Sequence, residues 1–465
     1  MLSLGTVARS LFRGPGLSGN ARRTFRLHLT YAVLDGAAGG ILLNIPLWAF
    51  KTLGAPVWQL PLRELYSGIG MIVSLYLGSW MASRRKMPFV VVPGVLAGVG
   101  LLTTSRMPNT LLIFTVLGIS ALFEILARPA IATILRQNYP VERRAYAAGA
   151  VRKWSSLAFL ASGVMSAVLL HLVSEHHEIP GYAASGQIGD WLMGRSVGHT
   201  GRLLIVLAGT LSLASFLRFR QIRVEKDPAL LRQDVRPGVA KSFREAAVVA
   251  RDVRYRRYLL GCFLDGFCQA LYLPLLWAFF SSDLGFGYVS CNALVHSIPA
   301  LLAFLMTGAV GHLCDRWNPW IAWAVIRLMI ALDALILVAT YYAVGFVPVI
   351  ILLPFLSRMM RGTVQGGWWI MWWQIGVTHF ARPGEDTSRY MFIMVFLHGA
   401  IRLVASGTGI LFTALGTPTV ALLLAGGIGG TLSAVYSLRM ASWERRERHP
   451  DTIVDFERQF VKSSP

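Results

Sequence analysis

Gly311-His312-Leu313-Cys314-Asp315-Arg316 closes one long apolar run, and Asn318-Pro319 opens the next. A worn copy of the same junction stands at Met81-Ala82-Ser83-Arg84-Arg85-Lys86, followed by Met87-Pro88. Short basic hinges between apolar runs are what a chain shows when it turns back at a membrane surface. Apolar stretches of about 20 residues match a hydrocarbon core roughly 30 Å thick. The 465 residues are 55 % hydrophobic and 14 % charged, whereas a soluble domain carries about 25 % charged residues. Much of this surface must therefore meet something other than water.

Working outward from the two hinges, twelve spans emerge, at about 28–50, 60–81, 87–104, 109–134, 146–173, 201–218, 257–280, 290–313, 319–341, 346–378, 389–413 and 418–438. The net charge of +21 falls mostly in alternate loops and at the two ends, as the positive-inside rule requires. A nucleic-acid site would gather it on one face, so nucleic acid is not an expected partner. The segment Arg218 to Arg257 holds twelve Lys and Arg. Within it Phe243, Ala246, Val249 and Val253 recur at helical spacing, the pattern of a basic amphipathic helix lying on anionic lipid.

The expected organisation is a basic tail (1–27), a first six-span bundle (28–218), a basic linker (219–256), a second bundle (257–440) and a charged tail (441–465). Both termini are expected in the cytoplasm, with the bundles in a bacterial cytoplasmic membrane. An internal repeat supports the two bundles. Leu34-Asp35-Gly36 recurs as Leu264-Asp265-Gly266, and Leu47-Trp48-Ala49-Phe50 as Leu276-Trp277-Ala278-Phe279. Arg84 pairs with Arg316 and Pro88 with Pro319, and the offset drifts by only a few residues. Six spans separate the copies, so both halves point the same way and are related by an axis along the membrane normal.

Gly311-x-Leu313-x-Asp315-Arg316 resembles the signature loop of the major facilitator superfamily, Gly-x-Leu-x-Asp-Arg-x-Gly-Arg-Arg. The first-half copy has Ser83 in place of the acid. Arg361-x-x-x-Gln365-Gly366 resembles the family's Arg-x-x-Gln-Gly helix motif, with one extra residue and on span 10 rather than span 4. The resemblance implies an all-α fold of twelve transmembrane helices in two pseudo-symmetric six-helix bundles. It further implies secondary transport of a small solute by alternating access, with Arg84, Gly311, Asp315 and Arg316 as a cytoplasmic gate. With serine at position 83, only the second-half latch can be ionic.

Charges inside a bilayer cost about 2.5–3.5 kcal/mol each on insertion scales, so each needs a reason. They are Asp35 on span 1, Glu124 and Arg128 on span 4, Arg152 and Lys153 on span 5, Asp265 on span 7, Arg327 and Asp333 on span 9, Arg358 and Arg361 on span 10, and Arg402 on span 11. Asp35, Glu124, Arg128, Asp265, Gln269, Arg358, Arg361, Gln365 and Arg402 are the candidate residues for substrate and proton coupling. They act either as an exchange network that moves a proton as the halves rock, or as static braces between helices. Glu124 and Arg128, four residues apart, are placed to neutralise each other. Arg152, Arg358, Arg361 and Arg402 then exceed Asp35 and Asp265, which favours an anionic or carboxylate-bearing substrate.

Trp368, Trp369, Trp372 and Trp373 read as an interfacial belt or as a stacking face for substrate, with Gly366-Gly367 as a flex point before them. His296 and His398 are structural histidines or proton relays. Glu175-His176-His177-Glu178 lacks metal-ligand spacing and reads as a solvated loop. The four cysteines lie in or beside apolar runs without C-x-x-C spacing, so no metal or cofactor is expected. No P-loop, G-x-S-x-G or H-E-x-x-H occurs, which sets aside ATP-driven pumping and hydrolysis. An exporter of lipophilic cations and a transport-inactive scaffold docking through its basic linker remain the alternatives.

Overall fold

A computed structural model describes residues 17–81, 84–178, 197–224, 247, 251–343, 347–372, 379–380 and 387–447. The described residues are helical, without strands. The first half comprises α1 (Gly19–Leu53), α2 (Leu62–Met81), α3 (Pro88–Thr104), α4 (Thr110–Asn138), α5 (Val141–Glu178) and α6 (Val197–Phe219). The second comprises α7 (Val253–Asp283), α8 (Tyr288–Asn292, Ala293–Ser297 and Ile298–Arg316), α9 (Pro319–Tyr342), α10 (Val347–Ile370), α11 (Thr387–Ala414) and α12 (Thr419–Glu447). Nine helices among the described residues are long and apolar enough to cross a membrane, and α3 is a shorter apolar helix. The other two, α2 and α10, carry Arg63 and Glu64, and Arg358 and Arg361, within their spans.

The repeat seen in the sequence is a repeat of packing. In the first half α1 lies against α5 and α6, α2 against α4, and α3 against α4 and α6. In the second, α7 lies against α11 and α12, α8 against α10, and α9 against α10 and α12. Each pairing recurs six helices later. Pro88 and Pro319 each occupy the first turn of the third helix of their half, where the missing N–H costs nothing. Large apolar side chains such as Met165, Leu305, Ile351 and Leu411 point outward, while Arg327, Asp333 and Arg358 are buried. That inversion of a soluble protein suits a hydrocarbon solvent.

Several local expectations change. Helix α5 continues to Glu178, four residues past the start of the expected loop at Ser174. The α2–α3 hinge is held by Lys86, whose Nζ donates to Arg84 O at 2.8 Å and also to Met81 O, capping helix-end carbonyls. Arg84 lies over the Trp80 ring at 4.4 Å, and Ser83 falls outside the described residues. Gly311 and Arg316 lie on the last turns of α8 with Asp315, whose side chain is likewise outside them. Gly366 and Gly367 are packing sites rather than a flex point. A Cβ at Gly366 would strike Thr307, and one at Gly367 would strike Val310, both on α8.

The halves are not joined evenly. One hydrophobic core contains residues of both, among them Trp48, Phe114, Tyr272, Trp277, Leu294 and Leu423, all at the ends away from the basic loops. Toward the basic loops the core divides. Leu17, Phe25, Ile134, Val151 and Phe219 pack within the first half, and Tyr255, Cys314, Trp323, Trp372 and Ala441 within the second.

Polar contacts reinforce the joined end. Asn292 Nδ2 on α8 donates to Asn44 Oδ1 on α1 at 2.8 Å, and Asn44 Nδ2 donates to Gly163 O on α5 at 2.8 Å. Both asparagines are buried. Lys51 Nζ reaches Phe286 O at 3.1 Å. Between the halves α2 packs along α11, where a Cβ at Gly68 would stand 2.8 Å from Gly399 O and one at Gly399 2.9 Å from Gly68 O. By contrast α5 meets only the first segments of α8.

Replacing Asn292→Ala strands the buried Asn44 oxygen, at a cost of about 1–3 kcal/mol borne only while the halves are joined there. Thiol labelling of positions near Asn44 from the face opposite the basic loops should rise several-fold. Unchanged labelling contradicts a load-sharing role for this pair.

Candidate functional site

Membrane-embedded charges are tolerated when partners answer them, and here most are. Asp333 on α9 accepts from Arg358 Nη1 on α10 at 2.9 Å at each carboxylate oxygen. Ser357 Oγ and Tyr272 OH also donate to it. The second arm of Arg358 is explained by the backbone of α8. Residues Ala293–Ser297 form a π-helical turn, and the donor five residues after Leu294 is Pro299, which has no N–H. Leu294 O is thereby left without a donor from its own helix, and Arg358 Nε fills the place at 3.0 Å.

The other charges divide by half. Arg402 on α11 pairs with Glu64 on α2 at 2.8 Å, joining the halves, and its Nε donates to His398 Nε2 at 3.1 Å. In the first half Asp35, Glu124 and Arg128 lie within electrostatic range of one another, and Arg63 is also within range of Glu124. Glu124 and Arg128 do not close the direct ion pair that their spacing suggested. Arg128 is exposed, whereas Asp35 and Glu124 are half-buried. Arg63 and Glu124 line a small pocket with Leu42, Leu101, Phe114 and Ser120.

Asp265, the repeat partner of Asp35, is fully buried. It accepts from Gln269 Nε2 at 2.9 Å and from Trp368 Nε1 at 2.7 Å. Trp368 stacks on Trp372 with ring centroids 4.7 Å apart, and Trp372 meets His398 edge-on at 4.9 Å. Trp372 is wholly buried, so the expected interfacial belt is corrected for these two residues. Trp373 lies outside the described residues, as does the Trp369 side chain. Arg327 and Asp333, neighbours on span 9, do not pair. Arg327 lies over the Trp323 ring and reaches Ser437 on α12.

Among the described residues two buried guanidiniums lack a carboxylate in contact: Arg327, which is held by Ser433 and Ser437 and lies within electrostatic range of Asp265, and Arg361. Arg361 is 7 % exposed, its Nη1 is buried without a hydrogen-bond partner, and no carboxylate among the described residues pairs with it. It lies in the same electrostatic neighbourhood as Tyr272, Asp333 and Arg358, but Asp333 is already committed. Gln365, one turn along α10, is exposed.

The structure thus gathers Asp265 and Gln269 with Trp368, and Arg358 with Asp333, and it leaves Arg361 without a hydrogen bond to either group. Sequence reasoning missed Asp333 as the partner of Arg358, although an acid mid-span demands a cation. It also missed Trp368 as a donor to Asp265, and the Asn44–Asn292 contact, for which a one-dimensional pattern holds no signal.

Comparison with known proteins converges on one family. The sequence matches the model of the Major Facilitator Superfamily over residues 27–406. A comparison with curated protein sequences returns no match. The fold resembles the nucleoside transporter NupG, with a TM-score of 0.63 at 14 % identity, covering 90 % of this chain and 98 % of that one. It resembles a bacterial homolog of the human lysosomal transporter Spinster in an inward-facing conformation, with a TM-score of 0.60 at 13 % identity over 92 % and 96 %. A POT family transporter in complex with 5-aminolevulinic acid gives 0.63 at 13 % identity over 92 % and 97 %. Two six-helix halves with repeated packing, charges turned inward and a family match across most of the length lead to one assignment: the chain belongs to the Major Facilitator Superfamily.

Proposed function

We propose that this protein is a secondary transporter that carries a small carboxylate-bearing solute by alternating access, with the proton as coupling ion. The observation that carries the reading is the charge balance around Arg361. Arg358 is answered by Asp333 and Arg402 by Glu64. Asp35 and Glu124 stand against Arg63 and Arg128. Arg327, buried on α9 without a carboxylate in contact, lies within electrostatic range of Asp265. Arg361 is then the buried guanidinium in excess, and an anion entering from water would complete it. The same positive charge disfavours lipophilic cations as substrates.

Alternating access is supported by the single core shared at one end and the two separate cores at the other. This conformation opens toward the basic loops, which the positive-inside rule assigns to the cytoplasm of a bacterial inner membrane, with both termini on that side. The basic linker then lies against anionic lipid, and the hinge at Arg84, Gly311, Asp315 and Arg316 gates that face. Asp35 and Glu124 share one charged neighbourhood, so a proton on either redistributes the whole cluster. In the second half the exposed Gln365 lines the space, while Asp265 and Gln269 lie buried behind Trp368 and hold it.

The test is a thermal-shift screen of purified protein against a metabolite panel. A ligand at 100 times its Kd stabilises by about 2.7 kcal/mol. Carboxylate-bearing compounds should raise the Tm of the wild-type protein and lose that effect in Arg361→Gln. Stabilisation by lipophilic cations instead overturns the reading. No ligand together with a phenotype that survives Arg361→Gln favours a scaffold.

Without ligand the two arginines of α10 should behave oppositely. Asp333→Asn leaves the Arg358 charge uncompensated and should cost about 3–5 kcal/mol. Arg361→Gln removes a charge that has no partner and should leave the Tm unchanged or higher. Similar losses for both would show that Arg361 is a brace. For the proton, Asp35→Asn should retain the ligand-induced Tm shift while losing acceleration of uptake by an imposed pH gradient in proteoliposomes. Retained acceleration removes Asp35 from the proton path.

A further inference from the structure

Helix α10 faces α7 along a series of side-chain rungs. At one level Tyr272 of α7 donates to Asp333 beside Arg358. At the next closed level Asp265 of α7 holds Trp368 of α10, and beyond it Tyr258 OH donates to Trp372 O at 2.8 Å. Arg361 and Gln365 fall between the first rung and the second. On α10 the residues Arg361, Gln365 and Trp368 follow one another at four and three residues, so they share one helix face. Arg361 and Trp368 are about 10.5 Å apart along the axis.

Trp368 is unusually well fixed for a half-buried ring. Its Nε1 is anchored on a buried carboxylate, and one face lies on Trp372 at an interplanar angle of 30°. Trp372 is wholly buried, yet Trp368 keeps part of its surface open. An indole pinned at its edge and backed on one side is held rigid, and the ring surface that stays open is of the kind planar rings recognise by offset stacking. Beside it, the exposed Gln365 amide supplies a neutral donor and acceptor.

We propose that Arg361, Gln365 and Trp368 form one subsite for an aromatic carboxylate, the carboxylate on the Arg361 guanidinium and the ring on the open face of Trp368. This rests on the carboxylate reading above and narrows it to a substrate class. A planar fork of donors matches a carboxylate in two parallel hydrogen bonds, and the buried, unpartnered Nη1 of Arg361 gains the acceptor it lacks. A lipophilic ammonium with the same ring would meet the guanidinium as a like charge and be refused.

The experiment compares three probes of one skeleton by calorimetric titration of the purified full-length protein: 3-phenylpropionate, its saturated analogue 3-cyclohexylpropionate and the neutral 3-phenylpropanamide. The wild-type protein should bind the aromatic acid on the order of 3- to 10-fold more tightly than the saturated acid and bind the amide at least tenfold more weakly. Trp368→Phe should keep the aromatic preference and Trp368→Leu should lose it. Equal binding of the two acids by the wild-type protein overturns the ring subsite while leaving the carboxylate reading intact, and it needs no variant to fold. A preference that survives in Trp368→Leu places the ring elsewhere and overturns it too. Binding of neither acid, or of the amide as well as the acids, brings down the carboxylate reading and this proposal with it.

Discussion

A charge inside hydrocarbon must be answered by another charge or by water, and the architecture follows from how this chain meets that demand. The Asp333 carboxylate of α9 is enclosed by Arg358 and Ser357 of α10 and by Tyr272 of α7. That knot fixes three helices of the second half to one another. A buried ion pair gains little net stability over apolar packing, because desolvation offsets most of the attraction. What it supplies is geometry: with Arg358 committed, the neighbouring Arg361 is defined as the cation in excess.

Duplication gave both halves the same scaffold without the same chemistry. The pairings among α1–α6 recur among α7–α12, and the repeated Leu-Trp-Ala-Phe stretch places Trp48 and Trp277 in the one core that crosses between halves. The equivalent acids have nonetheless parted. Asp35 is half-buried in a cluster of mixed charge, while Asp265 is sealed beneath Gln269 and Trp368. Their cationic counterparts have parted as well, Arg128 being exposed and Arg361 buried. The two halves are therefore chemically unequal: the first holds Asp35 and Glu124 in a cluster of mixed charge, and the second holds Arg361 without an acid in contact.

The fold was legible in the sequence because its signals are one-dimensional: apolar runs of membrane length, basic residues in alternate loops, and a repeat at constant offset. Which charges meet was far less legible. Asp265 and Arg361 were found as candidates because intramembrane charges are rare, yet their surroundings depend on helix rotation, which run length does not report. Trp368 and Trp372 look interfacial in the sequence because tryptophan is common there. The carboxylate of Asp265, a hundred residues away, turns Trp368 inward. Gly366-Gly367 invited a flexible reading, whereas the reason for glycine is the close approach of α8 at Thr307 and Val310. The π-turn before Pro299 was readable in principle, since a proline removes a donor wherever it stands. Only the structure shows that Arg358 takes up the freed carbonyl.

Transport as proposed requires a wet space beside Arg361 that opens to the face bearing the basic loops while the opposite face is joined. The four native cysteines are buried, so a thiol placed at the exposed Gln365 can be read against a quiet background. The most direct measurement is the reaction of Gln365→Cys with a membrane-impermeant maleimide added to sealed vesicles of either orientation. Rapid labelling is expected from the side of the basic loops and little from the other. Labelling only from the opposite side, or from neither, would contradict it.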